Sequence, residues 1–327
     1  MGKIFVTGAT GMVGSNLVKK LVEQGQNVSI LIRKNSTHPY LESLKLDIHY
    51  GDIIDITSID RAIKGAEYVY HVAGKISYSK WDKDELYKVN IIGTENVMEA
   101  AIKNNVKKIV VTSSTGAVGI PEGKNIVDEE YFFANEYNKI PYMATKHEAE
   151  KLALSYISKG IDVVAVCPST IYGAGDIKMN MGELIKNIKR EKLPMSPVGG
   201  NSLISVSDCV EGHILAMEKG KSGERYILAS ENLKTIDLIN LIADILNVKR
   251  VNKTIPNLLL PILKFAAIIS ENVFRSHTIN PAIIMFSAKN RYFNSNKAQK
   301  ELGWQPKQPI QEAIIEAIQF YEKYNLF

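Results

Sequence analysis

Several function classes are excluded by what this chain has little of. There are two cysteines in 327 residues, Cys167 and Cys209, both in apolar or strand-like surroundings and with no CxxC. That argues against a disulfide framework and a cysteine zinc site. The six histidines show neither HxxxH nor HExxH spacing, so no metal is expected. No long Lys/Arg block occurs, and 40 basic against 35 acidic residues leave a formal charge of +5. Nucleic-acid binding is not indicated, while a mild preference for anionic ligands is. Internal repeats and low-complexity tracts are missing, and 45% hydrophobic with 23% charged residues is ordinary globular composition. "MGKIFVTGATG" has no signal-peptide pattern, so a cytoplasmic location is expected. The one strongly apolar run, "IPNLLLPILKFAAIIS" (255–270), contains two prolines and Lys264. It is too short and broken to span a bilayer, so no integral membrane span is expected. A buried helix of a second lobe is the expected use, with shallow membrane contact or a subunit interface as alternatives.

What is present is alternation. "KIFVTG" (3–8), "NVSILIR" (27–33), "LDIHYGDI" (46–53), "AEYVYHVAG" (66–74), "KKIVVTSS" (107–114) and "DVVAVCP" (162–168) read as strands. Between them, 12–25, 57–65, 83–105 and the segment from Tyr142 carry helical spacing, with Thr57 placed to cap the second helix. Continuous apolar strands alternating with helices indicate a parallel sheet covered on both faces. The expected fold is α/β: a Rossmann-type doubly wound parallel sheet over 1–170. A smaller, mainly helical substrate lobe follows over 171–327, with elements returning to the main sheet.

"VTGATGMVG" sets Gly8, Gly11 and Gly14 directly after the first strand and opening the first helix, with Thr10, Met12 and Val13 between them. Gly8 permits the tight turn, Gly11 lets a pyrophosphate approach the backbone, and Gly14 lets the helix pack on the strand. Helix N–H groups then face the diphosphate. Arg33 and Lys34 end the second strand, where an NAD site usually has an acid for the ribose hydroxyls. A guanidinium binds a 2′-phosphate that a carboxylate would repel, so NADP(H) is expected over NAD(H), with NAD still possible. Asp52, followed by Ile53, is placed either to accept from an adenine amino group or to cap the helix at Thr57.

Ligands of such sheets bind outside the carboxyl ends of the strands. The fifth strand ends at Ser113 and Ser114. In "PYMATKHEAEKL", Tyr142 and Lys146 stand at i and i+4 and share a helix face. A long loop returns that helix to the strand, so a serine, a tyrosine and a lysine converge beside a nicotinamide. Hydride transfer to a carbonyl leaves an alkoxide that needs a proton. Tyr142 is the expected donor, its pKa of about 10 lowered by Lys146 and the oxidised nicotinamide. Ser114 orients the carbonyl and Lys146 holds the nicotinamide ribose.

The motifs "TGATGMVG", "GDI", "HVAG", "TSS", "YMATK", "CPSTIYG" and "ELGWQPKQPIQEAI" resemble those of extended short-chain dehydrogenase/reductases over essentially the whole chain. The nearest likeness is to the dihydroflavonol-4-reductase-like group, which includes proteins labelled hopanoid-associated sugar epimerases. The resemblance implies Ser114, Tyr142 and Lys146 as the catalytic triad. Gly8, Gly11, Gly14, Arg33, Asp52, Ala73 and Pro168 then line the cofactor. Val72, Gly74, Thr112, Ser113, Ser169 and Thr170 flank it in the same motifs, and Asn90 supports it from the long helix. A homodimer through 83–105 and 142–159 is implied as well. Lys75, Tyr78 and Trp81 after the fourth strand, Tyr172 after the sixth, and Ser114 are expected on a small-molecule carbonyl substrate. Nucleotide-sugar relatives carry Asn where this chain has Thr170, and an Arg–Asp pair where it has Asn201 and Ser202. Those departures favour a reductase over a nucleotide-sugar epimerase or dehydratase, although Lys178 or Arg190 could substitute as a diphosphate donor. A silent NADP-binding sensor is the third reading, disfavoured because Tyr142 and Lys146 are both present.

Overall fold

The apolar runs of the first half pair as parallel strands, because each carries hydrophobic side chains on both faces. A computed structural model describes residues 2–36, 39–122, 126–275 and 280–327. Its strands are β1 (Ile4–Thr7), β2 (Val28–Ile32), β3 (Asp47–Tyr50), β4 (Tyr68–His71), β5 (Lys108–Thr112), β6 (Ile126–Val127), β7 (Asp162–Pro168), β8 (Thr170–Tyr172), β9 (Gly200–Ser205), β10 (Arg225–Leu228), β11 (Glu231–Lys234) and β12 (Asn290–Phe293). The main sheet runs β10-β7-β5-β4-β1-β2-β3, and every pairing in it is parallel. Strand order reverses between β1 and β4, which opens a crevice at their carboxyl ends.

Alternate residues of each strand feed opposite layers. Ile4, Val6, Ile30, Val110 and Val164 pack with the helices Met12–Glu23 and Val206–Lys219. Phe5, Leu31, Val69, Ile109 and Val163 pack on the other face with Ile56–Ala62, Gly93–Lys103 and Pro141–Ser155. The Val206–Lys219 helix and β10 are the returning elements, so residue 170 does not separate the two layers of the core.

The lobe contains more than helices. A small second sheet runs β11-β9-β12-β6, with β8 beside β9. Its strands are two to six residues long, too short for a period to show in sequence. Three other expectations need correction. Thr57 does not cap the second helix: Asp55 does, accepting from Thr57 N–H at 3.0 Å. The long 83–105 helix is interrupted by a π-helical turn, Tyr87–Ile92, of a kind that collects at functional sites. The apolar 255–270 run is not buried either. It forms the helix Leu260–Val273, in which only Ala267 and Glu271 are buried.

The Pro141–Ser155 helix is tied to the sheet by a buried ion pair. Glu150 meets Arg225 of β10 at 3.2 Å, and Arg225 also donates to the carbonyls of Glu129 and Tyr131. Removing one member of such a pair strands the other charge away from water. Glu150→Ala is expected to lower unfolding stability by about 3 kcal/mol in urea titration. Lys103→Ala, at the exposed Lys103–Asp60 pair, is expected to change it little.

Candidate active site

A cavity of about 1200 Å³ opens along the carboxyl ends of β1, β4, β5 and β7. Ordinary small-ligand clefts hold roughly 300–1,000 Å³, so there is room for a dinucleotide and a second molecule. The glycine loop forms one end. Gly8 has φ +74°, and a Cβ there would meet the backbone N of Ala73 at 2.5 Å. A Cβ on Gly14 would meet the carbonyl of Gly8 at 2.2 Å. Both positions therefore require glycine. Gly11 caps the Met12–Glu23 helix without a side-chain bond, and the first turn holds no acid. Its N–H groups and dipole are left for an anion. Thr10, Gly11, Met12 and Val13 line the cavity there.

Arg33, Asp52 and Ile53 line the next part of the wall, but Lys34 is exposed and lies outside the lining. Asp52 caps no helix; its Oδ1 accepts from Ile54 N–H at 3.3 Å. Lys178 joins this wall from the lobe, and burial followed by the neighbouring cations Arg33 and Lys75 holds its ammonium below the usual lysine range. Arg190 is exposed and not among the lining residues. Arg33 and Lys75 thus both act on Lys178, opposed by Asp176 and Glu85, and an anionic ligand would ease the remaining cost.

Val72, Ala73 and Gly74 after β4, Thr112, Ser113 and Ser114 after β5, and Pro168, Ser169 and Thr170 after β7 line the floor. Ser169 Oγ is buried there without a hydrogen-bond partner in the protein. Asn90 does not line this cavity. It sits behind it on the π-helical turn, where its amide grips the backbone of Lys75 (N–H to Oδ1, 2.8 Å; Nδ2 to O, 3.1 Å) and donates to Thr145 at 3.1 Å. Tyr142 and Lys146 enter from the Pro141–Ser155 helix. The phenol is hydrogen-bonded to Ser114, and Lys146 Nζ donates to the Thr112 carbonyl at 2.5 Å.

Comparison with known proteins fits this geometry. The sequence profile of the NAD dependent epimerase/dehydratase family matches residues 4–229. A Synechocystis protein provisionally named dihydroflavonol 4-reductase is 34% identical, the match covering 98% of this chain and 95% of its own. Sterol demethylase protein B of Methylococcus capsulatus is 30% identical, with 98% of both chains covered. The crystal structure of gox2253 superposes with a TM-score of 0.87 at 32% identity, over 98% of each chain.

This chain belongs to the NAD-dependent epimerase/dehydratase family.

It is an NAD(P)-dependent enzyme of the extended short-chain dehydrogenase/reductase type. The glycine cradle and the unpartnered Ser169 hydroxyl fit a dinucleotide along the floor. Bound there, its nicotinamide would supply or accept hydride. The rest of the chemistry falls to side chains. Burial is the dominant influence on Tyr142; it raises the phenol pKa well above its ordinary value, Tyr78 adds to the rise, and the Ser114 bond opposes it. Lys146 itself is turned to the Thr112 carbonyl. Burial pushes Lys146 down to about 8, against the opposing pull of Glu150 and Cys167. Burial thus favours the neutral form of the Tyr142 phenol.

Beyond the triad the wall turns aromatic and apolar. Tyr78 lies edge-on to Tyr142 (5.4 Å) and to Phe286 (5.0 Å), and Ile120, Met143 and Ile283 continue the surface. Lys75 lines the wall too but is paired with Glu85 and Asp82. Two expected substrate residues lie elsewhere. Trp81 is outside the cavity and donates from Nε1 to the Glu271 carbonyl at 2.8 Å. Tyr172 is buried in the lobe core. Sequence reasoning missed Arg291 of β12. Its guanidinium lines the cavity, bonds Asn201 and Tyr78, lies 5.0 Å from the Phe286 ring, and has no acidic partner among the described residues. It therefore sets a cation beside position 201 from another strand.

Tyr142→Phe is expected to reduce kcat by about 10²–10⁴-fold with nucleotide affinity retained, measured by turnover and fluorescence titration. Lys146 also has a stability signature. Its native pKa of about 8 lies below the unfolded 10.5, so between those values the unfolded chain binds the extra proton and stability rises with pH. Below about pH 8 the full penalty is present. Comparing urea midpoints of the wild type and Lys146→Met, the wild type is expected to gain relative to the variant from pH 8 to 10.

Proposed function

We propose that the protein is an NADP(H)-dependent reductase of a ketone or aldehyde on a predominantly apolar, ring-bearing substrate. Hydride adds to the carbonyl carbon while Tyr142 delivers its proton to the oxygen, giving the alcohol and oxidised cofactor. Ser114 orients the carbonyl. The observation that carries this reading is the buried Tyr142 phenol, bonded to Ser114 and facing the wall of Tyr78, Phe286, Ile283 and Ile120. In the reductive direction the phenol acts as general acid toward the developing alkoxide. NADP(H) is preferred because no acid ends β2 while Arg33, with Lys178 across from it, does line the site. A sterol demethylase component at 30% identity gives independent support for a large apolar substrate. The reading also keeps a cytoplasmic homodimer packed through the 83–105 and 142–159 helices.

Arg291 and Lys178 favour one alternative, a nucleotide-sugar epimerase or dehydratase, since both could bind a diphosphate. The deciding experiment releases any nucleotide retained by the purified protein, identifies it, and titrates the emptied protein with NADPH and NADH. Preference for NADPH, falling about tenfold or more in Arg33→Asp with loss of a charge-assisted bond, together with NADPH oxidation across an apolar ketone panel, is the expected result. Tightly held NAD without NADPH preference would overturn it in favour of the epimerase.

A further inference from the structure

The helix Leu260–Val273 and the residues bordering it expose apolar surface of an unusual density. Leu258 (85%), Ile262 (64%), Phe265 (65%) and Phe274 (76%) stand furthest into solvent. With Leu259, Ile268, Ile269 and Val273 they make eight of the seventeen large hydrophobic side chains exposed among the described residues. Eight within one 17-residue stretch form a patch, where ordinary surfaces scatter such residues singly. Positions 258, 262, 265, 269 and 273 follow helical spacing and define one face. The opposite face is the one held down, by Ala267 and Glu271.

Its charges have one sign. Between 249 and 275 the exposed charged residues are Lys249, Arg250, Lys253, Lys264 and Arg275, of which Arg250 pairs with Asp244. The only acid in that stretch, Glu271, is buried and accepts from Lys80 N–H at 3.0 Å. Half-exposed Trp81 sits between Lys80 and Arg275, which lie 4.9 and 5.3 Å from its ring. Asp84 and Glu85 are exposed on the adjoining segment, and Glu85 pairs with Lys75.

The patch is the outer side of the substrate wall. Trp81 and Lys80 bond Glu271 from the 75–82 segment, whose Lys75, Tyr78 and Asp82 line the cavity. The neighbouring Pro281–Ser287 helix, in contact with the exposed one, contributes Ile283 and Phe286 to the same wall.

We propose that this face docks in the interfacial layer of an anionic lipid bilayer, and that the enzyme draws its carbonyl substrate from the membrane. The second clause rests on the reductase reading; the first does not. No helix among the described residues is long and apolar enough to cross a membrane, so the helix lies in the plane of the surface. Apolar side chains enter the acyl boundary, Lys264 and Arg275 reach headgroup phosphates, and Trp81 takes the amphipathic position typical of that depth. A second copy is a poorer occupant. A two-fold contact would pair this patch with a second copy of itself, setting a face that carries Lys264 and Arg275 and no exposed acid of its own against another of the same sign.

The test is co-sedimentation of the full chain with vesicles of phosphatidylcholine alone or with 30% phosphatidylglycerol (on the order of an anionic cytoplasmic leaflet). The expected result is binding to the anionic vesicles, reduced at least tenfold in Ile262→Glu/Phe265→Glu and reduced in Lys264→Glu/Arg275→Glu and in high salt. NADPH titration of each variant reports folding and the cofactor site separately. Unchanged NADPH affinity with lost vesicle binding locates the effect on this face, whatever the fate of the reductase reading. Failure of the parent to bind anionic vesicles would overturn the proposal. So would concentration-dependent self-association abolished by Ile262→Glu/Phe265→Glu without vesicle binding, which would assign the face to a second copy.

Discussion

The hydrogen bond from Lys146 to the Thr112 carbonyl decides how this site works. An ammonium group out of water needs strong compensation, and here it has a strand-end carbonyl and, one helical turn on, the Glu150 carboxylate. Glu150 in turn holds Arg225 of β10 and accepts from Ser113 and Cys167. These contacts fix the Pro141–Ser155 helix in register with the ends of β5, β7 and β10. Tyr142 is then carried to Ser114 by the helix geometry alone. The depressed Lys146 pKa marks the cost, which a bound dinucleotide would reduce by giving the ammonium further oxygen partners.

Other buried polar groups support the same strand ends. His71 bridges Thr7 (2.8 Å) and Thr94 (3.0 Å), and His213 meets Thr112 (2.9 Å) and the Cys209 carbonyl (2.7 Å). Burial holds these imidazoles near pKa 3 and 4, so they are neutral hydrogen-bond struts and not acid–base groups at physiological pH. Thr94 also donates to the Asn90 carbonyl, and Asn90 fastens the backbone of Lys75 to Thr145. Asn90 makes these bonds from within the π-helical turn Tyr87–Ile92, where it is buried. Rigid strand ends, catalytic helix and the start of the substrate loop are therefore one hydrogen-bonded unit.

The parts of this arrangement written in local pattern were legible in sequence. Gly8 and Gly14 announce themselves because backbone approaches their α-carbons too closely for any side chain. The parallel strands show as unbroken apolar runs, and Tyr142 and Lys146 share a face by spacing alone. Arg291 was not legible. It reaches the cavity from a four-residue strand whose neighbours, β9 and β6, lie far away in the chain, and nothing nearby in sequence signals that pairing. Trp81 and Tyr172 misled for a related reason: position after a strand indicates where a loop emerges, not which way an aromatic ring turns. Burial of the Tyr142 phenol was not legible either, because it depends on Tyr78 arriving from a separate loop.

The 255–270 run misled in another way. Apolar composition was read as burial, yet the helix buries only the stripe around Ala267 and Glu271, and its sole acid is spent anchoring the substrate loop. Burial of an apolar helix requires a receiving surface, and here the Pro281–Ser287 helix and the Lys80–Trp81 segment meet one side of it. Ile283 and Phe286 of that second helix face the cavity, leaving little room for both walls to share a deeper core. The same thin layer that lines the substrate space therefore leaves its outer helix uncovered. With Ile283 and Phe286 turned inward and Ile262 and Phe265 outward, the wall is apolar on both sides.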